Sequence, residues 1–503
     1  MSIGTRLGMK ANGYEGASAT RRVNKTWSSR LGNADTDDLP SLEKLRSNSR
    51  DAYRNQPLVT GAVGTMTYNT IGAGLKLQSQ PNHDVIGITE EEASEWAKNT
   101  EFEFVRLWGD NKNSDAERTK LWGETQNVAF ISTLLSGDVC ALLPHIDRGS
   151  SYSMVVQLIE ADRLSNPQNR RDSEKTAGGI TVGEYGDPVT YHFNKYHPGG
   201  INMRNEWVDI PAYGKESGRV NVIHLAERTR PGQRRGVPIL APVMESLKVL
   251  QEYTTAELEA ALVSGLFTTF VKTESGELPD PIGGDTEGQE ESRTMELSPG
   301  LIVGLKEGES IDTANPGRPN QAFDPFVMSI IKQIGAALQL PFEMLLKHFS
   351  ASYSASRAAL LEAWKAFRTR RTWFANNFCQ PIYEEWLYEA VLMGRVIAPG
   401  FLENEAIRMA YCTAAWNGPQ PGQLDPVKET TAALMRMESY LSTGTKEAAE
   451  LNGTDYEQNT KIAKRENKLR EEAGPVIVGK NMLDVVAEQE KETKTEQIKK
   501  GKA

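Results

Sequence analysis

Cysteine is scarce in this chain of 503 residues, which contains only Cys140, Cys379 and Cys412. A disulfide framework or a zinc site needs several cysteines at short, regular spacing, and these three are scattered. We therefore expect neither kind of site. The scarcity is typical of a protein that folds in a reducing cytoplasm.

Long hydrophobic runs are missing as well. The longest, such as GVPILAPVM and SIIKQIGAALQLP, fall well short of the about 20 residues that a membrane-spanning helix needs. The first 16 residues contain no apolar stretch of the kind that signal peptides have. With a mean hydropathy of -0.49, the chain is expected to be ordered, with polar loops and no membrane segment.

Basic residues are not in excess, because 57 lysines and arginines face 67 acids and the net charge is -10. A tight grip on nucleic acid requires clustered Lys and Arg that neutralise phosphates. The charge balance therefore argues against a tight nucleic-acid binder, but it leaves open a protein that DNA slides past. Residues 1–30 are locally basic, and a polar, unstructured arm is the plainer interpretation of that stretch.

Catalytic motifs are missing too. The sequence has no G-x-S-x-G nucleophile elbow and no G-x-x-x-x-G-K-[ST] phosphate loop. Gly72 and Gly74 precede a strand pattern instead of a helix, so a dinucleotide site is not expected. His192 and His197 lie five residues apart, which would place them on opposite faces of a strand. We predict no catalytic residue, no metal site and no cofactor.

One stretch, HFSASYSASRAALLEAWKAF at residues 348–367, places a histidine and four serines before an amphipathic pattern. A nucleophile site is one interpretation, but neighbours in sequence need not face each other as base and nucleophile. The other interpretation is a loop that changes shape easily, because Ser and Ala are small. Ser354 or Ser356 would then cap a helix whose apolar face starts at Leu360. We favour the loop.

Length and hydrophobic periodicity predict a multidomain protein that is mainly α-helical with β-rich parts, an α+β organisation. A single core stops growing at roughly 250–300 residues, well below this length. After a polar arm in residues 1–39, helix patterns give way to strand patterns up to residue 237. Thr89 and Glu92 form a capping box that starts one helix, and another is expected from about residue 117 to 135.

The second half of the chain has the pattern of long helices around a short β-rich insert. A helix of about 28 residues is predicted from Ile239 by its regularly spaced leucines. Residues 267–322 contain two strand patterns separated by a Gly/Pro/acid stretch. Asp324 is predicted to cap the next helix, with Pro325 at its first position. A helix or helix pair kinked at Pro381 follows. Its apolar residues repeat at helical spacing: Leu360, Trp364, Phe367, Phe374, Phe378, Ile382 and Trp386.

Four stretches, in order along about residues 45–465, resemble the lambda-type portal proteins of tailed bacteriophages. They are RSNSRDAYRNQPLVTGAVGTMTYNTIGAGLKLQ, VIHLAERTRPGQRRGVPILAPVMESLKVLQEYTTAELEAA, FDPFVMSIIKQIGAALQLPFEMLLKHFSASYSASRAALLEAWKAF and LDPVKETTAALMRME. The most specific features are R-P-G-Q-x-R-G-V-P and the Tyr-Ser-x-x-Arg that begins the long helix. Neither is a generic helix or strand pattern.

Portal proteins are dodecameric rings at one capsid vertex, through which a separate ATPase drives double-stranded DNA that later leaves the same way. The resemblance therefore implies a non-enzymatic virion protein that is assembled in the host cytoplasm and located at the portal vertex. The implied partners are further copies of the chain, the terminase packaging motor, the head-tail connector, capsid proteins, and double-stranded DNA bound without sequence specificity. The alternative is another virion component, such as a capsid or neck protein, without a DNA channel.

The resemblance also implies a portal fold with wing, stem helices, clip and crown. The implied parts are a flexible N-terminal arm (1–39), an α+β wing (40–237), a first stem helix (238–266), a β-rich clip (267–322), a second stem helix (323–341), a tunnel loop (342–356), a long wing helix (357–395), a crown-like helical region (396–460) and a charged tail (461–503).

Two groups of residues are expected to face the channel. The tunnel loop would present Lys347, His348, Phe349, Ser350, Ser352 and Tyr353 to moving DNA. The first stem helix offers four acids, Glu245, Glu252, Glu257 and Glu259. An acidic wall repels DNA and keeps friction low, so these acids would line the channel or pair with a neighbouring subunit. Solvation on an open surface is the plainer alternative.

A third group is expected at the contact between subunits. The turn RTRPGQRRG would launch the first stem helix and set basic groups against an adjoining subunit, while its prolines and glycines support at least the turn. A loop with solvated arginines is the alternative. The interface candidates are Arg230, Arg234, Arg235 and Arg357.

Overall fold

The structure is a computed structural model that describes residues 22–27, 29, 31–110, 112–201, 205–265, 269–273, 309–313, 322–349, 352–421, 426–454 and 456–473. The chain forms two compact units, Met1–Trp416 and Asn417–Ala503. Within the described residues, no helix has both the length and the apolar composition needed to cross a membrane. The Gly/Pro/acid stretch of the insert and the end of the charged tail lie outside these residues.

The N-terminal part of the first unit is helical. Its elements are α1 (Ala34–Asn55), α2 (Pro57–Thr70), β1 (Lys76–Ser79), α3 (His83–Ile86), α4 (Glu90–Phe102) and α5 (Trp122–Ser136). The capping box of α4 is confirmed, since the Thr89 hydroxyl accepts a bond from the Glu92 amide and the Glu92 carboxylate accepts one from the Thr89 amide. A π-helical stretch, Glu103–Gly109, continues α4.

Two of these helices begin at positions that differ from the sequence-based expectation. Helix α1 starts at Ala34, inside the stretch expected to be an arm, because the Asn33 side chain caps it and acids in its first turn favour the helix dipole. Helix α5 starts at Trp122 instead of near residue 117. The Asp115 carboxylate accepts bonds from the amides of Thr119 and Lys120, and this folds the preceding residues into a turn.

Strands follow in the region where the strand patterns lie. They are β2 (Asp138–Leu142), β3 (Gln157–Glu160), β4 (Thr176–Ala177), β5 (Ile180–Val182), β6 (Pro188–Asn194), β7 (Trp207–Pro211) and β8 (Val222–Ala226). One antiparallel sheet has the order β3-β2-β8, in which Cys140 lies opposite Ile159 on one side and His224 on the other. A second sheet has the order β4-β5-β6-β7.

The next part of the unit begins with a short 3₁₀ turn, Ala241–Val243. Its elements are α6 (Met244–Gly265), β9 (Thr269–Thr273), β10 (Glu309–Thr313), α7 (Phe323–Leu338), α8 (Phe342–Leu346), α9 (Tyr353–Phe374), α10 (Gln380–Leu392), α11 (Glu405–Cys412) and β11 (Ala414–Asn417). Strands β9 and β10 pair antiparallel, and β11 pairs with β1. The mainly α-helical fold class with several β-sheets is confirmed.

Two details of these helices correct or refine the predictions. The prediction that Asp324 caps α7 was wrong, because Ala322 is the capping residue and Asp324 lies in the first turn. The predicted kink has a defined form: a π-helical stretch, Ala375–Cys379, separates α9 from α10, and Pro381 sits at the start of α10. Proline has no amide to donate to the preceding turn, so a widened turn there is expected.

The core of the first unit is built around α9 and α10. Phe367, Phe374, Phe378, Ile382 and Trp386, spaced first by seven residues and then by four, are fully buried. Their rings pack on aromatic side chains of the N-terminal part, and the Trp122 and Phe378 rings stack with centroids 5.6 Å apart. The long apolar helix pattern of the sequence therefore forms the centre of the unit.

Within its described residues, the second unit contains the helices α12 (Pro426–Glu438), α13 (Gly444–Asn452) and α14 (Tyr456–Ala473). Thr443 caps α13 with its side chain. Arg436 of α12 makes two bonds, of 2.8 and 2.6 Å, to the buried Glu447 carboxylate of α13. This paired contact fixes α12 against α13.

Candidate channel loop, stem and interface residues

The predicted loop between α8 and α9 is shorter in the structure than in the sequence-based division. Both ends of residues 342–356 are helical, so the connection between α8 and α9 covers residues 347–352, of which 347–349 and 352 are described. Lys347 ends α8 in the left-handed conformation with φ of 54°. The amides of Lys347 and His348 both donate to the Glu343 carbonyl. The start of the connection is therefore fixed to α8.

The side chains that follow this fixed start point outward. Lys347, His348 and Phe349 are exposed, and Phe349 shows 53% of its surface although it is aromatic. Ser350 lies outside the described residues, and so does the side chain of Tyr353. Contact of this group with DNA in the channel stays a prediction.

The serine that caps α9 is Ser352. Its hydroxyl accepts from the Ala355 amide at 3.5 Å, and its carbonyl accepts from the Ser356 amide at 2.9 Å. The expectation that Ser354 or Ser356 caps the helix was wrong, because the helix begins at Tyr353 and includes both serines. The capping of α9 is therefore a structural reason for a serine at position 352.

The four stem acids divide between two faces of α6. Glu245, Glu252 and Glu259 are exposed and follow one another at intervals of seven residues, so they share a face. Glu257 is half-buried and lies about 140° around the helix from Glu252. Glu252 is also 3.4 Å from Lys248. Three of the acids can therefore line one surface, whereas Glu257 belongs to another.

Burial also changes along α6. The Leu247 and Leu250 side chains are buried in the core of the unit. About two to three turns beyond Leu250, Leu258 and Leu262 are 62% and 63% exposed. The start of the helix is therefore rooted in the core, while its far end presents apolar and acidic side chains on the surface of the single chain.

Arg235 lies in the core, although the sequence favoured a subunit contact. Its side chain is almost completely buried, with 2% exposure for the residue. The guanidinium donates to both oxygens of Asp138, at 2.6 and 3.1 Å, and to the carbonyls of Ala161, Leu164 and Gly178. All its donors point inward, so this group has no surface to offer an adjoining subunit. The interface expectation is corrected for Arg235.

Asp138, at the start of β2, contacts three basic side chains. Besides Arg235, its carboxylate accepts a bond of 2.8 Å from Arg46 of α1 and lies 3.2 Å from the His224 ring of β8. Burial alone would raise the pKa of Asp138, but Arg235 and Arg46 hold that pKa well below its usual 3.8. Burial lowers the pKa of His224, so the two arginines provide the positive charge.

The same place contains a close backbone contact. Gly137 ends α5 with a φ of +86°, and a Cβ atom there would lie 2.3 Å from the Gly236 carbonyl oxygen. The Gly236 amide in turn donates to Asp138 at 3.2 Å, and the Ile239 amide donates to the Leu134 carbonyl at 3.0 Å. The segment from Arg235 to Ile239 is thus held to the end of α5 shortly before α6 begins.

The other interface candidates have different surroundings. Arg230 is exposed and pairs with Asp37 at 2.7 Å, while Arg234 pairs with Asp35 at 3.1 Å. Both arginines therefore hold the start of α1 against the turn. Arg357 is half-buried in the first turns of α9. Contact with a neighbouring subunit stays a prediction for these three residues.

Sequence reasoning missed Arg46, Asp138 and His224. Asp138 carries the one usable signal, since it follows a helix-ending glycine and opens an apolar strand, where a charged residue needs a buried partner. That signal does not say which arginines supply the partner. Arg46 and Arg235 lie 92 and 97 residues away in sequence.

One cluster at the end of β3 has the composition of a metal site. The His197 ring lies 3.3 Å from Glu160 and 3.4 Å from Asp162. Arg50 already pairs with both carboxylates, at 2.9 Å from Glu160 and in close contact with Asp162. The guanidinium supplies the positive charge that the acids require, so the arrangement is explained without a metal ion.

Comparison with known proteins gives matches along most of the chain. A family model described as phage portal protein, lambda family, matches residues 20–371. The chain is 25% identical to portal protein B of Escherichia phage lambda over 474 residues, which cover 90% of this chain and 88% of that protein. It is 25% identical to the portal protein of Escherichia phage N15 over 476 residues, with coverage of 89% and 88%.

Solved structures give weaker similarity. The neck of an empty gene transfer agent particle, computed with C6 symmetry, matches with a TM-score of 0.44 and 12% identity, covering 80% of this chain and 91% of that one. The virion of a native gene transfer agent particle matches with a TM-score of 0.41 and 14% identity, at coverage of 73% and 92%. The assignment of the chain to a family therefore rests on the sequence matches.

Proposed function

The chain belongs to the lambda family of phage portal proteins, so it is a structural component of a virion, and we propose that copies of it form a dodecameric ring with a central channel for double-stranded DNA. The observation that carries the proposal is the family match over residues 20–371. This range includes the stem, the insert and the exposed connection at 347–352. The ring stands at one capsid vertex after assembly in the host cytoplasm, and DNA enters and leaves through it.

The connection at residues 347–352 is the part that meets the DNA. It is anchored at one end by the bonds to the Glu343 carbonyl and at the other by the cap of α9. Between these anchors it presents Lys347, His348 and Phe349 outward. A segment with fixed ends and exposed side chains can bend around a moving duplex while its subunit keeps its shape.

The aligned acids of α6 contribute a repelling wall. Glu245, Glu252 and Glu259 share one exposed face, and repetition of that face around the ring would produce an acidic lining. Repulsion between this lining and the phosphates lowers the attraction that would stall DNA. The net charge of -10 agrees with such a conduit.

The remaining roles are contacts with partners. The insert at 267–322 is the docking part for the terminase packaging motor and later for the head-tail connector, and the outer surface of the wing meets capsid proteins. Arg230, Arg234 and Arg357 support contacts between subunits. The protein performs no catalysis in this scheme, because the motor supplies the energy for DNA movement.

Electron microscopy of the purified full-length protein tests the ring. Images classified from above should show closed rings with an open pore. Rings without a pore would favour a virion component that conducts no DNA. A protein that stays monomeric at all concentrations would contradict the proposal.

Shortening the connection tests the contact with DNA. Deletion of residues 348–351 should leave the rings intact and reduce DNA packaging strongly, because the exposed His348 and Phe349 are removed while the fold of each subunit is kept. A matched control replaces the same four residues with Gly and Ser, which keeps the length of the connection. Normal packaging by the deletion variant would show that the connection does not act on DNA.

A further inference from the structure

A cleft beside Lys347 has the chemistry of a phosphate site. It occupies about 470 Å³ between the end of α1, one face of α2 and the end of α8. Arg54 and Lys347 both line it, together with the phenol rings of Tyr53 and Tyr68. No residue that lines it within the described part of the chain is acidic. Two cations with no acid among the lining residues stand out in a chain whose net charge is -10.

The two cations are available to an added anion. Arg54 and Lys347 are exposed. Arg54 has one acidic neighbour, Asp51, at 3.6 Å, and both side chains of this pair are more than 60% exposed. Exposed pairs of this kind contribute little, so a phosphate can compete for the guanidinium. Asp51 also accepts a bond of 2.8 Å from the Asn55 side chain.

The cleft is open because α2 carries glycine where other helices carry side chains. A Cβ atom at Gly61 would meet nothing within 4 Å, and one at Gly64 would meet only the Tyr68 ring at 3.6 Å. Lys347 faces this space from a backbone position that two bonds to the Glu343 carbonyl hold in place. The site therefore combines room, two exposed cations and tyrosine hydroxyl groups that can donate to phosphate oxygens.

We propose that this cleft binds a backbone phosphate of double-stranded DNA. The inference rests on the proposed function, because it is the connection at 347–352 that brings Lys347 to the DNA. Each subunit supplies one weak contact, and the ring repeats that contact at one level of the channel. Several weak, reversible contacts can hold a stationary duplex without preventing its movement when force is applied.

The salt dependence of DNA binding tests the proposal. Assembled full-length rings are titrated with a short blunt duplex at several KCl concentrations, and the logarithm of the association constant is plotted against that of the salt concentration. Arg54→Ala and Lys347→Ala should each reduce the slope by about one for every phosphate that the ring no longer neutralises. Lys44→Ala is the matched control, since Lys44 is an exposed lysine of the same helix α1 outside the cleft, and its slope should equal that of the wild type.

A variant without a charge change separates shape from charge. Gly61→Leu places a side chain in the open space and should weaken duplex binding severalfold at low salt while the rings stay intact. Titration with inorganic phosphate alone identifies a site for free anions. If inorganic phosphate binds to the wild type, the cleft variants should change both phosphate binding and the salt dependence of DNA binding. Variants that abolish phosphate binding without changing the slope of the salt dependence for DNA would overturn the proposal.

Two further results would overturn it. Unchanged slopes in intact rings of both cation variants would show that the cleft does not meet DNA. Loss of rings in those variants, with a normal slope for the rings that remain, would show that a neighbouring subunit fills the cleft. In either case DNA packaging through a normal channel would leave the proposed function standing, whereas rings that lack a pore and bind no duplex would contradict the function itself.

Discussion

Two polar, turn-rich segments of this chain look alike in sequence and differ in structure. Residues 228–238 and residues 347–352 both combine basic residues with small ones. In the first, Arg235 is buried against Asp138 and three backbone carbonyls. In the second, Lys347 and its neighbours are exposed. A basic side chain in such a segment can be buried where a buried carboxylate pairs with it. Where no such carboxylate is present, the basic side chain stays on the surface.

The largest effect is expected from removal of that carboxylate. Asp138→Ala would leave Arg46 and Arg235 buried without their counter-charge, so the free energy of unfolding should fall by about 3–5 kcal/mol. Urea titration of the full-length chain at one fixed protein concentration, monitored by tryptophan fluorescence, measures this fall. Arg230→Ala is the control, because it breaks an exposed pair with Asp37 and should cost about 1 kcal/mol or less. Equal losses would remove the distinction between the two kinds of arginine.

Acid provides a second way to compare buried and exposed carboxylates. Glu389 of α10 accepts bonds from the Ser153 hydroxyl at 2.6 Å and the Ser153 amide at 2.7 Å. Burial raises its pKa, but hydrogen bonds from His145, Ser153 and Met154 outweigh that effect and lower the pKa to about 2. Since the folded-state pKa is the lower one, this stabilisation is complete above pH 4.5, the ordinary value, and is lost as the pH falls towards 2.

Glu389→Gln should therefore lower the stability at pH 7 by up to about 3 kcal/mol and flatten its decline between pH 4.5 and 2. Thermal unfolding across this pH range provides the measurement. Glu252→Gln, on the exposed face of α6, should leave the acid profile unchanged. If the Glu389 variant declines as steeply as the wild type, other buried groups carry the acid response.

The close backbone contact beside Asp138 predicts a smaller, local effect. Gly137→Ala places a Cβ atom 2.3 Å from the Gly236 carbonyl oxygen, whereas Gly149→Ala, also at a positive φ, meets nothing within 4 Å. Both variants strain the backbone, but only the first forces two segments apart. Gly137→Ala should therefore be less stable than Gly149→Ala by about 1–3 kcal/mol in urea unfolding. Equal stability would mean that the contact between α5 and the turn is loose.

Sequence reasoning found the patterns that repeat locally and missed the contacts that join distant positions. The capping box at Thr89 and the apolar stripe from Phe367 to Trp386 follow from spacing alone, and both are confirmed. The partner of Arg235 lies 97 residues away, and no local pattern encodes that distance. For the same reason the cleft that joins Arg54 to Lys347 could not be read from the sequence. The family resemblance supplied the portal assignment before either contact was known.

The smallest effect concerns the exposed segment itself. Ser352 caps α9 through a long bond of 3.5 Å to the Ala355 amide, so Ser352→Ala should cost about 0.5–1 kcal/mol, and only locally. Ser354→Ala is the matched control, because Ser354 lies inside the helix, where alanine is the better residue. Hydrogen exchange of the first turn of α9 should become faster in the Ser352 variant and not in the Ser354 variant. Equal exchange rates would show that the start of α9 does not depend on its cap, which would widen the contrast between the exposed Lys347 and the buried Arg235.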